Sequence, residues 1–197
     1  MGRSKPLLPL GDRPVIRHCL DSLLAAGTPE VILVLGRHGM EIESAVGDLP
    51  VVIVRNENPD SDMAGSVRVG LRAIAETATA VLICLVDHPL VSAVTLRALI
   101  DRQALDPGSI LIPTFQGKRG HPTLFPRKAI EELFEVPTLR EVVRRDPARV
   151  RLVEVADEGT VLDMDTPDDY ALMLERWQLR ERIGSEAGDG GDARDAG

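Results

Sequence analysis

The sequence lacks the features that define several large classes of protein. No apolar run approaches the roughly 20 residues that a transmembrane helix needs, and the first residues lack the apolar segment of a signal peptide. Positive charge is also scarce, since the formal net charge is -8 and the pI is near 5.0. A general nucleic-acid binder needs a cationic surface to displace counterions from phosphates. We therefore expect a cytoplasmic protein that binds neither membranes nor nucleic acid.

Cysteine is rare as well. Cys19 and Cys84 both lie within apolar runs, which favours buried thiols over a disulfide or a metal pair. We expect no catalytic role for either residue.

The chain does contain apolar runs that alternate with amphipathic stretches. Residues 31–35, 51–54 and 81–86 are nearly continuous apolar runs, which are typical of buried strands in a mainly parallel sheet. Residues 14–26 and 67–76 place apolar side chains on one helical face. This alternation predicts an α/β fold built from βα crossover units.

The same pattern continues through the second half of the chain. Residues 110–115, 150–155 and 160–164 are strand-like, and a last helix is expected to begin at Thr166-Pro167-Asp168-Asp169. A chain of 197 residues is long enough to bury one substantial core. We therefore predict one domain over residues 1–183, followed by a disordered tail rich in Gly and Asp over residues 184–197.

Acidic residues follow two of the predicted strands. Asp87 comes directly after residues 81–86, and open α/β sheets bind ligands at the carboxyl ends of their strands. A carboxylate there suits Mg²⁺, which takes oxygen ligands and substrate phosphates, although a helix cap or turn aspartate would give the same pattern. Asp163 and Asp165 lie on the same side at the end of the candidate strand that begins at residue 160. Asp168 and Asp169, by contrast, suit the helix dipole. Asp165, which lies nearest the turn, is the better candidate for a second metal ligand.

The amino terminus is basic. Arg3 and Lys5 stand in the segment Gly2-Arg3-Ser4-Lys5, where they could neutralise a triphosphate. Scattered basic residues near a chain terminus would look the same, and composition does not separate the two interpretations.

Five short segments carry most of these polar residues. They are Met1-Gly2-Arg3-Ser4-Lys5; Asn56 followed by Met63, Ser66, Val67, Gly70 and Leu71; Asp87-His88-Pro89-Leu90; Arg119-Gly120-His121-Pro122; and Asp163-Met164-Asp165-Thr166-Pro167-Asp168-Asp169. In this order they resemble the motifs of the MobA-like NTP transferases, and especially of the molybdenum cofactor cytidylyltransferases. Each motif alone is weak, but five in the right order over nearly the whole chain are specific.

The resemblance implies a three-layer, Rossmann-like fold of the glycosyltransferase-A type with a mainly parallel mixed sheet. It also implies a Mg²⁺-dependent enzyme in which Asp87 and Asp165 hold the metal, with Lys5 and Asp87 as catalytic residues. The nucleotide would contact five residues, namely Gly2, Arg3, Lys5, Asn56 and Ser66. Arg119 and His121 would bind the acceptor, although a loop histidine without a role is as common.

The implied reaction transfers a nucleoside monophosphate to the phosphate of a molybdopterin-type acceptor and releases pyrophosphate. CTP is the favoured donor by resemblance, and GTP is the nearest alternative. A client molybdoenzyme or its chaperone is a further partner that the resemblance suggests. Two alternatives stay open, which are transfer to another phosphorylated acceptor and a non-catalytic protein that binds the pterin cofactor.

The sequence departs from the family pattern in three places. His88 stands where glutamine is frequent, and Asp62 stands where glycine is common before Met63. The chain also starts inside the opening signature, so the family's first strand and most of its Gly-rich loop have no counterpart. Because such loops hold phosphates with backbone N–H groups, we expect an N-terminally incomplete domain with weakened nucleotide binding.

Overall fold

The structure is a computed structural model that describes residues 4–189, with the side chains of residues 4–183. Two of the predicted phosphate ligands, Gly2 and Arg3, lie outside these residues. The last helix extends to Asp189, so it continues past residue 184, where we expected a disordered tail to begin. The rest of that predicted tail, residues 190–197, also lies outside the described residues.

Strands and helices alternate along most of the chain, as the apolar pattern predicts. The strands are β1 (Pro9–Leu10), β2 (Arg13–Pro14), β3 (Ile32–Gly36), β4 (Val52–Asn56), β5 (Ala80–Ile83), β6 (Ile110–Phe115), β7 (Lys118–Arg119), β8 (Thr123–Pro126) and β9 (Val150–Glu154). The helices are α1 (Val15–Ala25), α2 (Met40–Val46), α3 (Met63–Leu71), α4 (Ala93–Leu105), α5 (Arg127–Glu131), α6 (Leu139–Arg145) and α7 (Pro167–Asp189). Within the described part, every helix is too short or too polar to traverse a lipid bilayer.

The described strands form three sheets, of which the largest, with five strands, is mixed and the one made of β1 and β2 is antiparallel. In one sheet β3 pairs with β4 in parallel, and in the larger sheet β9 runs parallel to β6. Strand β8 is antiparallel to both β5 and β6, because the chain reverses after β6 at a turn where Gly117 adopts a φ of +76°. Among the described residues, β3 pairs only with β4 and β5 only with β8, so these two sheets share no hydrogen-bonded strand pair.

Helices cover both faces of the larger sheet. On β6, the side chains of Ile110 and Ile112 pack in a cluster with α3, α5 and α6, whereas Leu111 faces Leu99 of α4. This alternation is what a strand buried on both faces requires. The predicted α/β architecture with helices on either side of a mixed sheet is therefore confirmed.

The strand predicted at residues 160–164 is wrong. Residues Glu158–Thr160 form a short 3₁₀ helix instead, and no strand follows before α7. Thr160 uses its backbone carbonyl to accept from the N–H of His121 at 2.8 Å, so this segment bonds to a loop and not to a strand.

Candidate active site

Asp87 lies in a tight turn beyond the end of β5. The strand stops at Ile83, three residues earlier than the apolar run suggests, because Ile83 opposite Thr123 is the last pair of the β5–β8 ladder. The Asp87 side chain is mostly buried, at 29% exposure. Its Oδ1 atom has no hydrogen-bond partner among the described residues. An unpartnered buried carboxylate oxygen is costly, and a cation would satisfy it.

The alternative in which Asp87 caps the next helix does not hold. Helix α4 is capped by Ser92, whose Oγ accepts from the backbone N–H of Thr95 at 3.2 Å. The turn at Asp87 is held by two backbone hydrogen bonds. The N–H of His88 donates to the carbonyl of Leu85, and the N–H of Val91 donates to the carbonyl of His88, both at 3.3 Å. The carboxylate of Asp87 is therefore not used for capping.

Lys5 and the second acidic segment meet Asp87 at the same place. The ammonium of Lys5 donates to Asp165 Oδ1 at 2.9 Å. This hydrogen bond, with the negative charges of Asp165, Asp87 and Asp163, raises the pKa of Lys5. One cationic and three anionic groups from three distant parts of the chain thus converge, which is the charge pattern expected for a site that binds phosphates together with a metal.

An apolar cluster holds these three parts of the chain together. Leu10, Leu90 and Met164 belong to one cluster with Val15 and Met173, and all five are nearly or fully buried. Leu90 lies three residues after Asp87, and Met164 lies between the exposed Asp163 and Asp165. The buried side chains anchor each segment, whereas Asp163 and Asp165 are exposed and Asp87 is partly so.

The two acids at the start of α7 behave as the helix-dipole interpretation predicts. Thr166 donates to Asp169 Oδ2 at 2.7 Å from both its backbone N–H and its hydroxyl, and its Oγ1 accepts from the Asp169 N–H at 3.2 Å. These bonds hold the pKa of Asp169 below its usual value. Asp168 is exposed and lies with Asp169 in the first turn of α7, where the helix dipole favours an acid.

His121, the candidate for acceptor binding, lies against residues 87–90, which hold the candidate metal ligand Asp87 and are called the metal loop below. Its ring is 4.8 Å from the ring of His88 between centroids, a contact that sequence reasoning did not anticipate. Burial, followed by the charge of His88, lowers the pKa of His121. A side chain at Gly120 would collide with the carbonyl of Thr160, so glycine permits the close approach of this loop. Arg119 is exposed on β7, two residues before His121.

The nucleotide-binding candidates Asn56 and Ser66 are neighbours. Asn56 ends β4 and is 6% exposed, and its Nδ2 donates to Ser66 Oγ at 3.0 Å and to Ser61 Oγ at 2.7 Å. Asp62, a departure from the family pattern, caps α3 by accepting from the N–H of Gly65 at 2.7 Å. The structure therefore pairs the two predicted residues, and it gives Asp62 a structural role.

Comparison with known proteins decides the family. Residues 1–151 match the profile of the MobA-like NTP transferase domain. The chain belongs to this family. It is similar to nicotine blue oxidoreductase of Paenarthrobacter nicotinovorans, with 29% identity over 88% of this chain and 90% of that protein. It is also similar to the molybdenum cofactor cytidylyltransferase of Escherichia coli, with 22% identity over 90% of each chain.

A solved structure supports the same assignment of fold. The crystal structure of Rv0371c from Mycobacterium tuberculosis superposes with a TM-score of 0.75 and 31% identity, over 89% of this chain and 90% of that one. Rv0371c was also crystallised in complex with manganese, and that structure superposes with a TM-score of 0.69 over 88% of this chain and 93% of that one. The predicted NTP transferase family and its Rossmann-like fold are confirmed.

The carboxylates of this MobA-like domain fit a divalent cation that binds together with a nucleotide. Among residues 4–183, no group of three or more His, Cys, Asp or Glu side chains is arranged to hold a metal ion by itself. Mg²⁺ is usually bound in proteins by one or two carboxylates and completed by water and substrate phosphates. The residues present match that mode, and the manganese complex of Rv0371c shows that a relative binds a divalent metal.

Sequence reasoning missed the support behind the metal loop. Asp157, which is 5% exposed, accepts from Ser92 N at 2.9 Å, Thr95 Oγ1 at 2.7 Å, Gly159 N at 3.0 Å and Arg180 Nη2 at 3.0 Å. Arg180 also donates to the carbonyl of Leu90. This network ties the end of the metal loop to α7. An Asp two residues before a Gly signals a turn, but nothing in the sequence indicates partners 65 and 23 residues away.

Both cysteines are free thiols and partly buried. They line a cavity of about 20 Å³ together with His88 and His121, which is room for about one water molecule. Burial raises the pKa of Cys19 to about 12 and raises that of Cys84 as well. Thiols held protonated in this way are poor nucleophiles, which agrees with the absence of an assigned catalytic role.

Proposed function

We propose that this protein transfers a nucleoside monophosphate from a nucleoside triphosphate to a phosphorylated acceptor and releases pyrophosphate. The observation that carries this proposal is the convergence of Lys5, Asp87, Asp163 and Asp165, in which Asp87 Oδ1 is buried without a hydrogen-bond partner and lies 3.8 Å from His88 Nε2. Asp87 and Asp165 would hold Mg²⁺, which supplies positive charge to the phosphates. Membership of an NTP transferase family supports the same reaction class.

The reaction is an in-line displacement at phosphorus. An oxygen of the acceptor phosphate attacks the α-phosphorus of the triphosphate, and the bond from that phosphorus to the bridging oxygen of the β-phosphate breaks. Because the acceptor phosphate is already ionised at neutral pH, no general base is needed. The side chains act by positioning two anions and by offsetting their charge, and Lys5 performs this task at the triphosphate.

The acceptor is assigned to the side of His121 and Arg119. His121 lies on the loop that contacts His88, beside the proposed metal ligand, so a bound acceptor phosphate there would face the triphosphate. The exposed guanidinium of Arg119 is suited to a phosphate by its planar, two-pronged donors. Asn56 and Ser66, which lie at the end of β4 and the start of α3, are assigned to the nucleotide.

The specific pair that we favour is CTP with a molybdopterin-type acceptor. Support comes from the order of the five motifs and from similarity to a protein named molybdenum cofactor cytidylyltransferase. GTP with the same acceptor is the nearest alternative. Cytoplasmic location, with a molybdoenzyme or its chaperone as recipient of the product, is part of the same proposal.

The proposal is tested by pyrophosphate release with CTP or GTP, molybdopterin and Mg²⁺. Asp87→Ala should lower kcat by at least about a hundredfold, because a metal ligand contributes several kcal/mol to a phosphoryl-transfer transition state. Asp168→Ala, an acid in the same region that serves only the helix start, is the matched control. If the kcat of Asp87→Ala is within about tenfold of the wild-type value, the assignment of Asp87 as a metal ligand is wrong. Binding of the pterin cofactor without pyrophosphate release from any nucleotide would favour the non-catalytic alternative.

A further inference from the structure

Lys5 places a positive charge where the acidic site would otherwise hold a metal. Its ammonium lies 2.9 Å from Asp165 Oδ1, and the charges of Asp87 and Asp163 act on it as well. The two partners are 38% and 64% exposed, so the pair lies at the surface and the Lys5 side chain has space to move. A side-chain cation thus neutralises part of the carboxylate cluster.

The proposed function gives these two side chains roles in which the contact between them is unfavourable. Asp165 is assigned to the metal, and Lys5 is assigned to the triphosphate. A divalent cation and an ammonium on the same carboxylate repel each other, so departure of Lys5 from Asp165 would strengthen metal binding there. A triphosphate supplies the alternative anionic partner that this departure requires.

The local structure lets the side chain move while the backbone stays in place. Lys5 begins the 3₁₀ helix Lys5–Leu7, and the N–H of Leu8 donates to its carbonyl at 3.1 Å. The following Leu10 is fully buried in the cluster that also holds Leu90 and Met164. Exposed lysine ion pairs contribute little to stability, so exchanging one partner for another costs little.

We infer that Lys5 is an exchangeable counterion, which occupies Asp165 in the free protein and moves to the triphosphate when nucleotide binds, so that Asp165 becomes available to the divalent cation. This inference rests on the proposed function for the identity of the nucleotide ligand. It has two consequences. The metal alone binds weakly, and nucleotide and metal strengthen each other's binding by the same factor, since such coupling is reciprocal.

The test is a titration with Mn²⁺, followed by the electron paramagnetic resonance signal of the free ion. Without nucleotide, Lys5→Met should bind Mn²⁺ at least about fivefold more tightly than wild type. Lys128→Met removes the same charge from the exposed surface of α5 and should bind like wild type. With a non-hydrolysable CTP analogue, the affinity of the wild type for Mn²⁺ should rise by a larger factor than that of Lys5→Met.

A double variant separates exchange at Asp165 from a general electrostatic effect. In an Asp165→Asn background, Lys5→Met should no longer increase Mn²⁺ affinity, because the carboxylate for which the two cations compete is gone. An undiminished gain in that background, or no gain from Lys5→Met alone, overturns the inference. Failure of the proposed function shows differently, as a lack of nucleotidyl transfer, and it leaves the nucleotide-free titration interpretable.

Discussion

The network around Asp157 makes a quantitative prediction about stability. Asp157→Ala removes a carboxylate that accepts from Ser92, Thr95, Gly159 and Arg180, all within 3.0 Å. The backbone N–H groups of Ser92 and Gly159 then lose their partner, and the guanidinium of Arg180 loses its counterion. The carboxylate is almost completely buried, so water cannot replace it without rearrangement.

The expected loss of unfolding free energy is about 3 kcal/mol. A hydrogen bond to a charged group contributes about 1.5–3 kcal/mol, and neighbouring bonds do not add independently. Breaking a buried ion pair costs about 3–5 kcal/mol, but Arg180 is 38% exposed, so solvent screens that part and the lower end applies. In a domain of this size about 1 kcal/mol shifts Tm by about 2–4 °C, so Tm should fall by about 6–12 °C.

The assay is urea unfolding of wild type, Asp157→Ala, Asp157→Asn and Glu158→Ala. Asn keeps one acceptor oxygen and should lose only about 1–2 kcal/mol. Glu158 pairs with Arg176 at 3.0 Å, and both side chains are more than one third exposed, so this neighbouring control should lose no more than about 1 kcal/mol. If Asp157→Ala is as stable as Glu158→Ala, the network does not support the metal loop in the way that we argue.

The contribution of Asp157 to stability should depend on pH in a direction that its pKa determines. Burial raises the pKa of Asp157, but hydrogen bonds from Ser92 and Thr95 and the charge of Arg180 outweigh burial and hold it below its usual value. A group with a depressed folded pKa stabilises the protein above its unfolded pKa, about 3.9 for Asp. That stabilisation is lost as pH falls through the folded pKa. The stability difference between wild type and Asp157→Asn should therefore be constant from about pH 5 to 8 and narrow below about pH 4.

Three further predictions concern the site and the sheet. Asp165→Ala should reduce kcat severely while Asp168→Ala should affect mainly the stability of the helix start, and equal catalytic losses would show that the wrong carboxylate was chosen. His121→Ala and Arg119→Ala should each raise KM for the phosphorylated acceptor more than KM for the nucleotide, and the reverse pattern would place the loop on the nucleotide side. Fusing an apolar strand and Gly-rich loop to the amino terminus should raise Tm and tighten Mg²⁺-dependent nucleotide binding, measured by calorimetry, because among the described residues β3 and β5 each pair on one side only; unchanged values would show that these strand edges need no further partner.

Patterns local in sequence predicted much of the fold. The alternation at Ile110, Leu111 and Ile112 follows from a period of two, and it places their side chains on opposite faces as observed. Element boundaries were less accurate. Strand β5 ends before its apolar run does because a strand needs a partner, and the run of residues 160–164 lacks one, so it forms no strand.

Patterns that are local in sequence do not predict contacts between distant residues. The pairing of Lys5 with Asp165 spans 160 residues, and each residue was identified by its motif with no sign of the other. His88 was recognised only as a departure from the family, whereas the structure places its ring beside His121. Resemblance to a family identifies the residues of a site, but only the folded structure shows which of them are in contact.

Apolar burial, and not electrostatic attraction, decides that the site assembles. Asp87, Asp163 and Asp165 carry like charges in a protein whose net charge is already -8, and even two such charges as close as about 4 Å repel each other in water by only about 1 kcal/mol. Burial of Leu10, Leu90 and Met164 in one cluster contributes about 1.5–3 kcal/mol for each side chain, which exceeds the repulsion. The carboxylates are thus held together against their own charge, and any cation that joins them, whether Lys5 or the proposed metal, relieves that repulsion. A ligand that binds only the folded state stabilises it, so under the proposed function the nucleotide and its metal should raise the stability of the domain.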